Sequence, residues 1–366
     1  MTVSKGPRRL LFLVTEVCAN GGIQRFNQTL LEACSRQAIG CDVLSLNDSA
    51  DSIRARPAQN HIQIVGFSGN RPRFAAAVAA ALLKNRHDRV LIGHVNFLVL
   101  AMMALVLRPF GRPRAMMIAH GIEVWSGIGL LRRIALSKLR RILCVSDYTR
   151  KRILEQAPAL RAKRLTIFPN ALAITWQSIA PPAAPRGTSR FILSVTRLER
   201  GDRYKGVATV IEAFSMLADD SIQYRVVGRG SDLQFLQLVA DRCGVKDRVH
   251  FMGAVDDTEL ISLYRECEAF VLPSGKEGFG IVFLEAMYFG APVIAAREKG
   301  ATDVVHDGNT GLTVAFGDVI AIKEAIERLM SDAALRERLR DNGRAMVTDG
   351  GPFTFAQFAK RCAEVL

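Results

Sequence analysis

At 366 residues, nearly half of them hydrophobic, the chain is long enough for two domains that each bury a core. Its 49 Lys and Arg against 35 Asp and Glu give a net charge of +14, which suits anionic partners such as nucleotide phosphates or acidic lipids. With no RNP-like or zinc-finger pattern, five Tyr, two Trp, and seven cysteines lacking a CxxC pair, nucleic acid, a disulfide framework and a metal site are all disfavoured, and reduced cytosolic thiols are expected.

In chain order, a basic start (Lys5, Arg8, Arg9) precedes an apolar run at 10–14 that is too short for a signal sequence and reads as a strand. A turn ending in Gly21-Gly22 follows, then a helix with Ile23, Phe26, Leu30 and Leu31 on one face. Further strands are expected at 41–46, 62–65, 90–92, 115–118 and 141–145, mostly separated by helical periodicity. The run 90–107 is tempting as a membrane span, but Gly93, His94 and Asn96 interrupt it and Arg108, Pro109 and Gly111 close it. A buried strand, a polar loop and a buried helix at 97–107 account for it better.

Between 171 and 189 the texture changes, with Pro181, Pro182, Pro185 and Gly187 among small residues, and this is the expected interdomain linker. Strands are expected again at 191–195, 224–227, 249–252, 269–272 and 292–296, with final helices at 319–342 and 354–366. The alternation predicts α/β architecture with two open parallel sheets, an N-terminal domain over 1–178 and a C-terminal domain over 186–345. Residues 346–366 are expected as a C-terminal helix packing back on the first domain.

Residues 277–285, Glu-Gly-Phe-Gly-Ile-Val-Phe-Leu-Glu, form the most informative segment. They run from a loop at the carboxyl end of one strand into an apolar helix, where α/β sheets bind ligands. Gly278 and Gly280 let the backbone approach a bound group, and the helix start offers N–H groups to a phosphate. Glu277 in the loop and Glu285 a turn into the helix can then touch one molecule. Gly21 and Gly22 are similarly placed for a phosphate. Arg197 and Lys205, after the strand at 191–195, carry the charge to neutralise two phosphates, and Gly228 and Arg229, after the next strand, are placed to sit against a ribose or phosphate. His120, beside Gly121, can hydrogen-bond a substrate hydroxyl near neutral pH. Asp256 and Asp257 are candidates for a base edge.

These residues, in this order, resemble a GT-B glycosyltransferase of the large retaining family 4 over nearly the full chain, with the Glu-x7-Glu segment as the specific motif. The resemblance implies two Rossmann-like domains facing each other across a cleft. It implies that Arg197 and Lys205 hold the donor diphosphate, and that Glu285 grips the ribose. Glu277, Gly278, Phe279 and Gly280 face the donor sugar, and His120 lies near its reacting face. Two departures concern the hinge: Pro169-Asn170-Ala171-Leu172-Ala173 replaces the family's Pro-Asn-Gly-Val-Asp, and Thr196 replaces a glycine.

The expected activity is retaining transfer from a GDP- or UDP-linked sugar to a saccharide acceptor, the alternatives being transfer to a soluble acceptor, a nucleotide-sugar epimerase or a non-catalytic nucleotide-binding module. No cofactor is expected beyond the donor as substrate, and no metal, because no Asp-x-Asp follows a strand. The basic stretch 130–142, with Arg132, Arg133, Lys138, Arg140 and Arg141 among Leu and Ile, suggests an anionic membrane surface. A peripheral cytoplasmic enzyme with a lipid-linked acceptor in polysaccharide or glycolipid assembly is the corresponding expectation.

Overall fold

The computed structural model describes residues 9–366 except 20, 85, 108–112, 126, 178, 180–189, 298–299 and 349. The Pro-rich part of the expected linker, and Arg108, Pro109 and Gly111, therefore lie outside the described residues. The chain divides into two compact units, one of Met1–Ile174 with Phe355–Leu366 and one of Thr175–Thr354.

In the first unit, strands β1 (Arg9–Val14), β2 (Gly40–Ser45), β3 (Ile62–Gly66), β4 (His87–Ile92), β5 (Arg114–Ala119), β6 (Arg141–Cys144) and β7 (Leu165–Ile167) form one parallel sheet. Its order is β3-β2-β1-β4-β5-β6-β7. The run Leu10 to Val14 is apolar at every position because helices cover both faces of a parallel sheet; all five residues are buried. On one face Leu11, Leu13, Val90, Ile92 and Met117 pack with Phe74, Val78, Leu82 and Leu98. Burying each such side chain contributes about 1.5–3 kcal/mol.

The second unit repeats the plan with β8 (Phe191–Val195), β9 (Gln223–Val227), β10 (Val249–Gly253), β11 (Ala269–Leu272), β12 (Val293–Ala296) and β13 (Leu312–Val314), in the order β10-β9-β8-β11-β12-β13. Its core joins Tyr224, Val226, Val271 and Ile294 to Val210, Phe214, Ile322 and Leu329 of flanking helices. In both sheets the strand order reverses beside the first strand, between β1 and β4 and between β8 and β11. Such switch points are where α/β sheets hold ligands, so the loops after these four strands are the places to look.

Several expectations need adjustment. The short strands β7 and β13 were not foreseen, since three residues carry too little periodicity to register. The helix expected at 319–342 is two, Val319–Ser331 and Ala333–Ala345, because Asp332 leaves helical conformation and caps the second by accepting from the Leu335 N–H at 2.8 Å. Residues 175–177 pack with the second unit rather than the first: Trp176 lies 5.4 Å from the Phe289 ring, and the Tyr288 hydroxyl donates to the Gln177 carbonyl at 3.0 Å. The basic stretch 130–142 spans two elements, since the helix Leu130–Lys138 ends before Arg140 and Arg141 opens β6.

The C-terminal helix Phe355–Val365 lies against the helix Gly22–Arg36 of the first unit, where Phe358 packs edge-on against Phe26 at 5.6 Å and Phe168 at 5.2 Å. The fully buried Phe358 and Cys362 form its inner face.

Candidate active site

The second unit gathers the candidate residues at its switch point. β8 and β11 are paired, so the loops that leave them are neighbours. The loop after β8 carries Arg197 and ends in a 3-10 turn, Arg200–Lys205, and Gly206. Gly206 has φ +81, and a Cβ there would lie 3.0 Å from the Pro273 carbonyl, so the turn closes directly on the loop after β11. The Gly275 N–H donates to the Tyr204 carbonyl at 2.7 Å and ties the two loops together.

On that frame Lys205 Nζ reaches Glu277 Oε2 at 2.8 Å, with both side chains mostly buried. Arg197 Nη2 pairs with Asp202 Oδ2 at 3.1 Å, and the Arg197 side chain is 71% exposed. A cavity of about 140 Å³ opens beside them, with Arg197, Asp202, Arg203, Lys205, Asp232 and Phe235 in its lining. Arg197 and Lys205, beside this cavity at a sheet's switch point, suit a group with two negative charges, such as a diphosphate.

The helix Ile281–Tyr288 starts at Gly280, whose φ of +90 and 2.4 Å approach of a would-be Cβ to the Phe283 ring both demand glycine. Glu277 is held through its carbonyl, which accepts from the Gly300 N–H at 3.0 Å. Glu285 is 3% exposed and accepts the Tyr264 hydroxyl at 3.0 Å. The expectation that Phe279 faces a sugar does not hold for its side chain. That ring is 2% exposed and packs edge-on against Phe353 at 5.4 Å, because the apolar loop anchor needs a core more than a ligand. Gly278 and Gly280 are buried too, which leaves Glu277 as the more accessible member of the segment.

Gly228 also has a reason within the protein. A Cβ there would stand 1.8 Å from the Thr196 carbonyl, so this glycine serves backbone packing rather than an open approach to ribose. Arg229, beside it, is exposed. Asp256 caps the helix Asp257–Glu266 by accepting from the Glu259 N–H at 2.9 Å, so of the two aspartates only Asp257 keeps its carboxylate out of the capping bond.

In the first unit, Gly21 and Gly22 open the helix Gly22–Arg36, and Gly22 is exposed with nothing within 4 Å of a would-be Cβ. The preceding turn is held by Asp48, 5% exposed, which accepts the N–H groups of Val17 at 2.7 Å and Cys18 at 3.1 Å. His120 lies at the end of β5 with Nε2 3.0 Å from the Gly93 carbonyl, at the mouth of β4, and its ring edge-on to Phe26 at 5.0 Å. The contact requires Nε2 to carry the proton, leaving Nδ1 as an acceptor. Glu123 steadies this turn, its carboxylate accepting the N–H groups of His120 at 2.6 Å and Gly121 at 3.2 Å. Asp48 and Glu123 were not singled out from sequence; their partners are backbone groups, which leave no residue pattern.

Burial, with His94 adding to it and the Gly93 carbonyl opposing, lowers the His120 pKa to about 3. His120 is therefore a neutral hydrogen-bonding group at neutral pH and not a titrating one. The unfolded chain takes up this proton near pH 6.5 and the folded chain only near 3. Stability should thus fall as pH drops through that window. Denaturant midpoints from pH 7 to 4 should show a shallower acid loss in His120→Gln than in the parent; parallel curves would contradict the assignment.

The matches to known proteins come from both units. The family model described as Glycosyltransferase Family 4 matches residues 20–175, and that described as Glycosyl transferases group 1 matches 178–346. The chain is 32% identical over 280 residues to the GDP-mannose-dependent alpha-(1-6)-phosphatidylinositol monomannoside mannosyltransferase of Mycobacterium tuberculosis, spanning 71% of this chain and 69% of that protein. It is 33% identical over 200 residues to the phosphatidyl-myo-inositol mannosyltransferase of Mycobacterium leprae, a match covering 54% of this chain and about half, 51%, of that relative. Among solved structures, sucrose-phosphate synthase from Thermosynechococcus elongatus superposes with a TM-score of 0.81 at 21% identity, over 98% of both chains.

Proposed function

This chain belongs to the group 1 glycosyltransferases, family 4, with the GT-B fold, and we propose that it moves a sugar from a nucleotide-diphosphate donor to a lipid-linked saccharide acceptor with retention of anomeric configuration. The observation that carries the reading is the placement of Arg197, Lys205 and Glu277 within two tied loops at the second sheet's switch point. Arg197 and Lys205 neutralise the diphosphate, Glu277 positions the sugar, and Glu285 addresses the ribose. Gly21, Gly22 and His120 keep the roles that the resemblance implies. A GDP-linked donor is favoured because the mannosyltransferase relative that spans two thirds of this chain uses GDP-mannose.

Charge neutralisation by Arg197 and Lys205 lets transfer proceed without a divalent ion. With no base-and-nucleophile pair in the reading, the acceptor attacks from the front face and the leaving phosphate takes its proton. One assay addresses donor and mechanism together: nucleotide diphosphate released from GDP- or UDP-sugar, in EDTA, with NMR analysis of the product. Release of GDP with a retained anomer is expected. Metal-dependent turnover, an inverted product, or interconversion of donors without transfer would each displace part of the reading.

The acceptor side rests on the first unit's surface. The helices Leu98–Val106 and Leu130–Lys138 lie side by side and expose Met103, Val106, Leu130 and Leu131, each more than 60% accessible. Arg132, Arg133 and Lys138 share the second helix, and Glu123 is the sole acidic residue between 98 and 142. An apolar patch with basic residues and almost no acid suits the anionic inner face of a cytoplasmic membrane. Among the described residues no helix is long and apolar enough to cross a membrane. Sedimentation should therefore show salt-sensitive binding to vesicles of anionic lipid and little to neutral ones. Equal partitioning onto both, with full activity on a water-soluble saccharide, would favour the soluble-acceptor alternative.

A further inference from the structure

The turn that delivers Lys205 also carries a carboxylate to the other cation. Asp202 is 8% exposed, yet its carboxylate meets Arg197 Nη2 at 3.1 Å and accepts the Tyr204 hydroxyl at 2.8 Å. Tyr204 is the junction of the two loops. Its carbonyl accepts from Gly275, and its ring lies 5.6 Å from both Lys205 Nζ and Lys276 Nζ. Burial and the adjacent carboxylate keep its hydroxyl protonated, and so a donor to Asp202.

An arginine that is 71% exposed on a loop has several rotatable bonds to fix before it can grip a ligand. A nearly buried carboxylate, itself held by a tyrosine, removes that freedom in advance. The contact uses Nη2, while a guanidinium has five N–H donors, so a phosphate can still be met by the remainder of the fork. We propose that Asp202, fixed by Tyr204, is a positioning residue that preorganises Arg197 for the donor diphosphate. This rests on the reading that Arg197 binds that diphosphate.

The test is a double-mutant cycle read by calorimetric binding of GDP and UDP to the full-length protein. Asp202→Asn should weaken binding of the preferred diphosphate about fivefold or more in the parent, and by less than about twofold in an Arg197→Ala background, because coupled neighbours are non-additive. Tyr204→Phe, which keeps the carboxylate, should show the same pattern with a smaller loss. A purely structural role would weaken binding equally in both backgrounds, and that result overturns the proposal, as does an Asp202→Asn protein that binds like the parent. If Arg197→Ala alone leaves binding unchanged, or neither diphosphate binds the parent, the donor-site reading fails and the proposal with it. A Tm matching the parent's qualifies each variant for the cycle; should Asp202→Asn unfold, Tyr204→Phe carries the decision alone.

Discussion

Replacing Arg197 or Lys205 with alanine should lower turnover by about 10²-fold or more, the scale seen when a preorganised charge stabiliser is removed. As the sugar leaves, negative charge collects on the diphosphate, and these two side chains are cations that line the cavity, Lys205 also meeting Glu277. The two losses should differ in kind. Arg197 is largely exposed, so its removal disturbs little packing, and donor binding and rate suffer more than stability. Lys205 is mostly buried against Glu277, so its removal also strands a carboxylate and should cost stability. Lys205→Arg keeps the charge and should recover part of both. Steady-state nucleotide release, with denaturant midpoints on the same preparations, separates the effects. Near-parental turnover in both alanine variants, each shown to be folded, would remove them from the diphosphate.

Gly228→Ala should be the most damaging single-methyl change in the second unit, costing about 3 kcal/mol or more. Two penalties add. The residue sits at φ +145, a conformation that L side chains rarely adopt, and the new Cβ would lie 1.8 Å from the Thr196 carbonyl. Neither partner can retreat easily, since Thr196 and Gly228 are backbone at the ends of paired strands, with the Thr196 N–H bonded to the Val227 carbonyl at 2.9 Å. Gly22→Ala is the control, because a Cβ there meets nothing within 4 Å. Urea denaturation should show a large midpoint drop for Gly228→Ala and a small one for Gly22→Ala; similar midpoints would mean that the loop after β8 can yield.

The architecture and the cast of the site were legible in the order and spacing of the residues. Two sets of apolar runs, each opening on a strand and a glycine-bearing turn, could only pack as parallel sheets covered by helices, because runs such as 10–14 and 269–272 have no polar face to show to water. Spacing alone placed Glu277 in a loop and Glu285 in a helix, and put Arg197 and Lys205 after the strand at 191–195. Tertiary structure decided which atoms meet. That Lys205 pairs with Glu277 across 72 positions follows from β8 and β11 being neighbours in the sheet, a fact of strand order that no local pattern encodes. Phe279 and Gly228 read as ligand-facing because their residue types suit a ligand. Phe353 and Thr196 instead occupy the space beside them, and such contacts are set by segments distant in the chain. Asp48, Glu123 and Asp202 stayed silent for the same reason: each is a common polar residue whose role appears only when folding brings it to the groups it holds.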